Sequence, residues 1–121
     1  MRVKDAVGLL GEQLAVDFLA ESGLTVLERN WRSADGEIDI IARDGAVLAF
    51  VEVKTRSSLA FGDPAEAISP AKAARYRRLA AQWLNARRSS GQRWPEVRFD
   101  VVAVVRRTPA GPSVRHIKAA F

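Results

Sequence analysis

The sequence predicts a mixed α/β (α+β) domain in which two helices flank a small mixed sheet. Three observations predict it: apolar residues recur at helical spacing over 5–22, helical spacing returns over 70–88, and alternating apolar runs lie before and after the second helix. The predicted order is one helix, three strands, a second helix and two strands, which is typical of helices packed on a central sheet. At 121 residues, the chain is expected to form one domain over 1–121.

The first helix is predicted over residues 5–22, and Gly23 is expected to end it. Its buried face is predicted from four apolar residues: Val7, Leu10, Leu14 and Phe18. Gly8 and Gly11 lie on a neighbouring stripe with Glu12, and a helix glycine costs about 1 kcal/mol relative to alanine. A helix that accepts this cost often brings its backbone close to another element. We therefore expect Glu12 to point toward that element, with an exposed surface glutamate as the alternative.

The segment Gly36–Lys54 predicts a β-hairpin, because Asp44-Gly45 lies between two apolar runs and Asp-Gly is a strong hairpin signal. With Asp44-Gly45 as the two-residue loop, Glu37 would lie opposite Glu52, and Asp39 opposite Phe50. Residues two apart share a face of a strand. Four charged residues then share one face: Glu37, Asp39, Glu52 and Lys54. Seven apolar residues share the other: Ile38, Ile40, Ala42, Val47, Ala49, Val51 and Val53.

The second helix is expected to begin at Ser69-Pro70, since serine is a preferred N-cap and proline a preferred first helical residue, and to end near Arg88. Three basic residues of this helix form a stripe at i+3 spacing: Lys72, Arg75 and Arg78. Like charges at this spacing repel, which indicates an external counter-charge. A solvated stripe is the alternative. The residues expected to contact backbone phosphates are Arg56, Lys72, Arg75 and Arg78. The other predicted strands are Leu24–Arg32, Val97–Val105 and Ser113–Lys118, and residues 55–69 are predicted as a polar connection.

Composition excludes several classes of protein. No apolar run approaches the roughly 20 residues that span a bilayer, and the first residues lack the pattern of a signal peptide. The absence of cysteine excludes a disulfide framework and thiolate metal sites. His116 is the single histidine, which argues against a zinc site and against Ser/His/Asp catalysis. A cytoplasmic protein without a membrane association is expected.

Basic residues are concentrated in the second half of the chain. The net charge is +5, but residues 1–66 hold 12 acids and 7 bases, whereas residues 67–121 hold 2 acids and 12 bases. Ten of those twelve bases are arginine, which recognises phosphate through two parallel hydrogen bonds. This distribution favours a polyanionic partner, with nucleic acid first and an anionic membrane surface second. A basic face that binds nothing is the alternative.

The charged face of the hairpin suggests metal chemistry. Carboxylates held close together resist ionisation unless a cation lies among them, and Mg²⁺ prefers oxygen ligands. Asp39 and Glu52, with the carbonyl of Val53, could hold such an ion, and Glu12 could add a ligand from the first helix. Lys54 could orient or help deprotonate an attacking water, or neutralise charge on a phosphate.

Asp39, then Glu52-Val53-Lys54 one hairpin later, with Glu12 on a preceding helix, resembles the core of the PD-(D/E)xK nucleases. That resemblance implies a restriction-endonuclease-like αβββαβ core, closest to archaeal Holliday-junction resolvases. Over nearly its full length the chain resembles the bacterial YraN family of endonuclease-like proteins. The residues that carry this are Gly11-Glu12, Asn30, Arg32, Gly36-Glu37-Ile38-Asp39, Phe50-Val51-Glu52-Val53-Lys54-Thr55-Arg56, Lys72, Arg98-Phe99-Asp100-Val101 and Ala120-Phe121.

The resemblance implies a Mg²⁺- or Mn²⁺-dependent nuclease. The implied metal ligands are Asp39 and Glu52, Lys54 assists the water, and Glu12 and Glu37 support the ligand shell. Two other functions stay open from the sequence: a non-catalytic nucleic-acid-binding protein with the nuclease fold, and a scaffolding partner in a larger assembly. The sequence favours DNA without excluding RNA, and a homodimer would suit a two-fold-symmetric junction.

Overall fold

The protein, for which we use a computed structural model, has the predicted order of elements, α1-β1-β2-β3-α2-β4-β5. The structure describes residues 3–58, 60 and 68–121, with side chains from Leu10 onward in the first helix. The bounds are α1 Val3–Glu21, β1 Thr25–Ser33, β2 Gly36–Asp44, β3 Val47–Ser58, α2 Pro70–Ala86, β4 Glu96–Arg107 and β5 Ser113–Ile117, with a 3-10 turn at Arg88–Ser90. No helix in this described part has the length and hydropathy to cross a bilayer.

The five strands form one mixed sheet, which confirms the predicted fold class, and their order in the sheet is β1-β2-β3-β4-β5. The β3–β4 pair is parallel and the other three pairs are antiparallel. A parallel pair needs a long crossover, which α2 supplies. Because α1 and α2 cover opposite faces, the sheet separates two apolar cores: one includes Ala15 and Leu19 of α1, and the other Tyr76 and Trp83 of α2.

The ends of α2 and β3 test two boundary predictions. Ser69 caps α2 as predicted, because its Oγ accepts a hydrogen bond from the Lys72 amide at 3.2 Å. The prediction that the connection begins at residue 55 was wrong, since β3 continues to Ser58 and pairs there with Arg107 of β4. Residues 59 and 61–67 of that predicted connection lie outside the described residues.

The predicted hairpin register was wrong by two residues. Asp44 pairs with Val47, so the loop is Gly45-Ala46 rather than Asp44-Gly45, and Phe50 lies opposite Ile41. Glu37 is therefore not opposite Glu52, nor Asp39 opposite Phe50. Gly45 has φ 61° and neither Asp44 nor Ala46 has positive φ, which is the φ pattern of a type II′ turn rather than type I′. Because side chains alternate with period two, a two-residue shift preserves the faces of regular strand.

The buried face of α1 also differs from the prediction. Leu10 is 48% exposed, whereas Gly11, Ala15 and Leu19 are buried; the side chain of Val7 lies outside the described part. The expected close approach is confirmed at Gly11, where a Cβ would lie 2.7 Å from Cγ2 and 2.9 Å from Cβ of Thr55 on β3. The small residues face the sheet because only they let the α1 backbone lie this close to it.

We predict that Gly11→Ala destabilises the protein, even though alanine favours helix by about 1 kcal/mol. The added Cβ overlaps Thr55, and overpacking of this kind costs about 1–3 kcal/mol. Urea denaturation measures the loss. Thr55→Ala removes Oγ1 and Cγ2, the two atoms nearest to the added Cβ. The double variant should therefore recover part of the lost stability. Equal stability of Gly11→Ala and the parent protein would contradict the close contact.

Candidate active site

The alternation of β2 breaks at Asp39. Ile40 packs in the α1 core, but Ile38, two residues earlier, packs in the α2 core. The prediction that Ile38 and Ile40 share a face was therefore wrong. The paired residues of β2 and β3 end at Ile40 and Val51, while β2 continues beside β1 as far as Gly36. Strands β2 and β3 therefore separate at Asp39.

The carboxylate of Asp39 bridges this separation. Its Oδ2 accepts a hydrogen bond from the Val53 amide at 2.8 Å, which supplies a partner for a β3 amide beyond the end of the ladder. The Asp39 amide donates to the Tyr76 hydroxyl at 3.4 Å. Asp39 is thus held by β3 through its side chain and by α2 through its backbone amide.

Three carboxylates from two elements meet beside the gap. Glu12 of α1, Glu37 and Asp39 each offer an oxygen, and these oxygens all lie within 4.8 Å of one another. We call these three residues the carboxylate cluster. Glu37 also pairs with Arg32 at 3.0 Å. Glu12 therefore points toward the sheet as expected, carried there by the close approach at Gly11.

Burial and charge strongly perturb Asp39. Burial first, then repulsion from Glu52 and Glu12 and hydrogen bonding with the Glu52 carboxyl, raise the pKa of Asp39 to about 8, against the opposing effect of the Val53 amide. A carboxyl group with this pKa resists ionisation at neutral pH unless positive charge is added. The cluster therefore has the electrostatic character of a cation site.

Glu52 lies beside Asp39 but not in the carboxylate cluster. It is 7% exposed, pairs with Lys72 of α2, and accepts a hydrogen bond from the Tyr76 hydroxyl at 2.6 Å. Burial, with the charges of Asp39 and Glu52, raises the pKa of Tyr76, which keeps its hydroxyl protonated as a donor. Asp39 and Glu52 were expected to act as a pair of metal ligands. In the structure, Asp39 belongs to the carboxylate cluster with Glu12 of α1, whereas Glu52 contacts Lys72 and Tyr76 of α2.

The predicted basic residues have different surroundings. The counter-charge of Lys72 is internal, since Glu52 pairs with it, so the expectation of an external one was wrong at this position. Arg75 and Arg78 are exposed, and the Arg75 side chain passes over Gly36, where a Cβ would lie 3.3 Å from its Cδ. Arg56 is exposed, and its guanidinium donates to the Thr55 carbonyl at 3.1 Å.

Lys54 lies on β3 two residues after Glu52 and is half-buried. Because residues two apart on a regular strand share a face, its stem leaves the sheet on the side of Glu52. The Glu-x-Lys spacing thus places an ammonium group on the strand that borders the gap.

A second polar network surrounds Asp100, a residue that the sequence analysis named for the family resemblance but not as a candidate site. Asp100 is fully buried and accepts hydrogen bonds from Arg98 Nε at 2.8 Å and the Ala119 amide at 3.0 Å, while His116 Nε2 lies 2.8 Å from it. Burial alone would raise the pKa of Asp100, but its partners outweigh burial and lower it. A lone carboxylate in a valine-rich strand indicates buried partners but not which ones. His116 is structural here.

A family comparison covers the whole candidate site. The model of "Uncharacterised protein family UPF0102" matches residues 11–104, which include the carboxylate cluster, Glu52, Lys54 and the basic residues of α2. The chain belongs to this family. The resemblance to YraN proteins is thereby confirmed at the level of the family.

Relatives in the UPF0102 family match the chain almost from end to end. A UPF0102 protein of Beutenbergia cavernae is 56% identical over 118 residues, covering 98% of both chains. One from Frankia alni is 52% identical, covering 100% of this chain and 98% of its own. One from Rhodococcus jostii is 48% identical, covering 96% of each.

We predict that Lys72→Met lowers the free energy of unfolding by on the order of 1–3 kcal/mol, because it leaves the Glu52 carboxylate buried without its cation. Adding Glu52→Gln should recover part of the loss. Lys118→Met is the matched control: Lys118 pairs with Asp44 at 3.1 Å but is 56% exposed, so its loss should cost less than about 1 kcal/mol. Equal losses in urea denaturation would show that the Lys72 pair contributes no more than a surface pair.

We predict that metal-free protein loses stability as the pH rises from about 5 to 8. Asp39, facing Glu12, Glu37, Glu52 and the nearby Lys72, binds its proton more tightly when folded than when unfolded. Stability from that proton is complete below the unfolded pKa and is lost as the pH passes the folded pKa. Asp39→Asn removes this titration. The loss in the free energy of unfolding between pH 5 and 8 should then be smaller than in the parent by on the order of 3 kcal/mol, since one pKa unit corresponds to about 1.4 kcal/mol. Urea denaturation in EDTA measures this, with Asp17→Asn as control; parallel profiles for Asp39→Asn and the parent would contradict it.

Proposed function

We propose that this UPF0102 protein is a divalent-metal-dependent nuclease that hydrolyses phosphodiester bonds in DNA, with branched or structured DNA as the substrate class. The observation that carries the proposal is the half-buried Asp39 carboxylate, held between separated strands among Glu12, Glu37 and Glu52 with its pKa raised to about 8. Such a group gains stability from a cation, and a divalent cation between carboxylates is the usual way in which proteins bind a phosphate for hydrolysis.

The donor set fits Mg²⁺ or Mn²⁺. Ligand oxygens on one Mg²⁺, at about 2.1 Å each, lie no more than about 4.2 Å apart. The oxygens of the carboxylate cluster already lie within 4.8 Å of one another, so small adjustments suffice. Asp39, Glu12 and Glu37 would hold the ion, with Glu52 and the Val53 carbonyl as the further ligands inferred from sequence. Once bound, the ion would polarise a phosphoryl oxygen.

The chain's own residues account for the other parts of hydrolysis. Lys54 would hold the attacking water or neutralise charge that develops on the phosphate. Exposed Arg56, Arg75 and Arg78 would bind backbone phosphates, which positions a strand without reading its sequence. Lys72 pairs with Glu52 in this structure, and its ammonium group would become available to a phosphate if Glu52 turned to serve as a metal ligand.

The position of Glu52 favours one alternative, a nucleic-acid-binding protein that retains this fold without catalysis. Glu52 is committed to Lys72 and Tyr76, and an enzyme would have to turn it toward the metal. The basic residues serve both functions equally. Cleavage, rather than binding, therefore separates the two.

We predict that the purified protein cleaves at least one labelled substrate among duplex, flap, four-way junction and single-stranded DNA when Mg²⁺ or Mn²⁺ is present. Asp39→Asn and Lys54→Ala should each lower the cleavage rate at least a hundredfold, because one removes a metal ligand and the other the group that holds the water. Gel electrophoresis of labelled products measures the rates, and fluorescence anisotropy should show DNA binding within about threefold of the parent.

Asp17→Asn, an equal charge change at an exposed position of α1, is the control and should cleave at the parent rate. If no substrate is cut with either ion while DNA binding persists, the non-catalytic alternative is favoured. Cleavage that survives Asp39→Asn would show that the carboxylate cluster is not the reaction centre.

A further inference from the structure

A second candidate binding surface lies at the opposite end of α2 from Lys72. The chain forms a groove of about 410 Å³ there. Its lining residues are Leu84, Arg87, Arg88, Gly91, Gln92, Arg93 and Trp94, which we call the arginine groove. The lining combines three cationic side chains with one indole and contains no carboxylate. Its volume lies within the range of about 300–1,000 Å³ typical of small-ligand sites.

The groove has one rigid wall. Arg87 pairs with Glu28 of β1, and its guanidinium lies 4.3 Å from the ring centroid of buried Trp83. Gly91, with φ 75°, reverses the chain after the 3-10 turn, so that the following residues return beside the end of α2. Trp94 is half-buried, packs against the α2 core and also lines the groove. The groove is therefore part of the packed fold rather than a chance arrangement of surface side chains.

The charge of the groove is not balanced within the described part of the chain. Glu28 is the one carboxylate paired with its arginines there. Arg88 and Arg93 are exposed; the described residues provide neither with a carboxylate, and Arg88 has only a 3.5 Å contact with Asn85 Oδ1. Arginine forks match phosphate geometry, and an exposed indole edge or face accepts a stacked base. Phosphate beside a planar base is the chemistry of a nucleotide.

We propose that the arginine groove binds nucleotides of the same nucleic-acid strand that reaches the Asp39 site. The inference rests on the proposed function, which supplies the strand. Lys72, beside Glu52, and Leu84, in the groove, are twelve residues apart on α2, or about 18 Å. A stacked strand rises about 3.4 Å per nucleotide, so this distance corresponds to about five stacked nucleotides and to fewer nucleotides of an extended strand. Exposed Arg75 and Arg78 lie between the two ends of that path.

Binding of fluorescein-labelled dT12 and dT2 in EDTA, by anisotropy over a range of salt concentrations, tests this without requiring cleavage. The Arg88→Ala/Arg93→Ala variant should bind dT12 about tenfold more weakly, with a log–log salt slope reduced by about 1.4, since two phosphates are no longer neutralised. It should also lose the preference for dT12 over dT2, because the dinucleotide cannot span both regions even when it is extended. Arg43→Ala/Arg107→Ala, an equal charge change at exposed positions outside the groove, should keep that preference and stay within threefold of the parent.

Trp94 tests recognition of the base. Trp94→Leu should weaken dT12 binding about tenfold, whereas Trp94→Phe, which keeps an aromatic ring, should lose less than threefold. Circular dichroism checks that each variant is folded, and the arginine variant tests the groove even where Trp94→Leu does not fold. Equal losses in the two arginine double variants would overturn the proposal, as would displacement of dT12 by polyglutamate as readily as by unlabelled dT12. If the protein cuts no DNA but its DNA binding depends on the groove residues, the result supports the proposed role of the groove and contradicts only the proposed nuclease activity.

Discussion

The hydrogen bond from the Val53 amide to the Asp39 carboxylate is the interaction on which the site depends. Where β2 and β3 separate, their backbones no longer satisfy each other, and a buried unpaired amide is costly. Asp39 removes that cost with its side chain and is itself fixed by doing so. The group that closes the gap is thus also a carboxylate whose ionisation is opposed by burial and by the charges of Glu52 and Glu12.

The polar groups around the gap divide into two sets with opposite charge balance. On the α1 side, the carboxylate cluster holds three acids, of which Glu37 pairs with Arg32. On the α2 side, Glu52 is fully satisfied by Lys72 and Tyr76. Asp39 lies between the two sets, where burial and the charges of Glu52 and Glu12 raise its pKa.

The element order, the caps and the faces of regular strand follow local rules of periodicity and turn chemistry, and were predictable. The hairpin register was not predictable, because Gly45 belongs to both possible two-residue loops. A type I′ loop at Asp44-Gly45 needs positive φ at both residues, whereas the observed loop at Gly45-Ala46 has positive φ at Gly45 alone. The buried face of α1 was mistaken because apolarity ranked Leu10 above Gly11, whereas packing against Thr55 requires the smaller residue. The membership of Ile38 in the α2 core depends on strand separation, which no periodic pattern encodes.

Site chemistry was predictable by residue type but not by partner. The sequence indicated that acids gather near Asp39, yet the pairing of Lys72 with Glu52 joins residues twenty apart across the crossover. The network around Asp100 likewise joins β4 to the chain after β5. Such pairings depend on where a helix crosses the sheet, which is a property of three-dimensional packing.

The close approach of Gly11 to Thr55 has a consequence beyond helix packing. Glu12 is the next residue along α1, so its carboxylate reaches the sheet from a backbone position that this contact determines. Asp39 is fixed independently by β3 through Val53. The Gly11–Thr55 contact therefore sets the backbone position from which the Glu12 carboxylate approaches Asp39. An uncharged residue outside the cluster thus contributes to how near Glu12 comes to Asp39, and the charge of Glu12 is one cause of the raised pKa of Asp39.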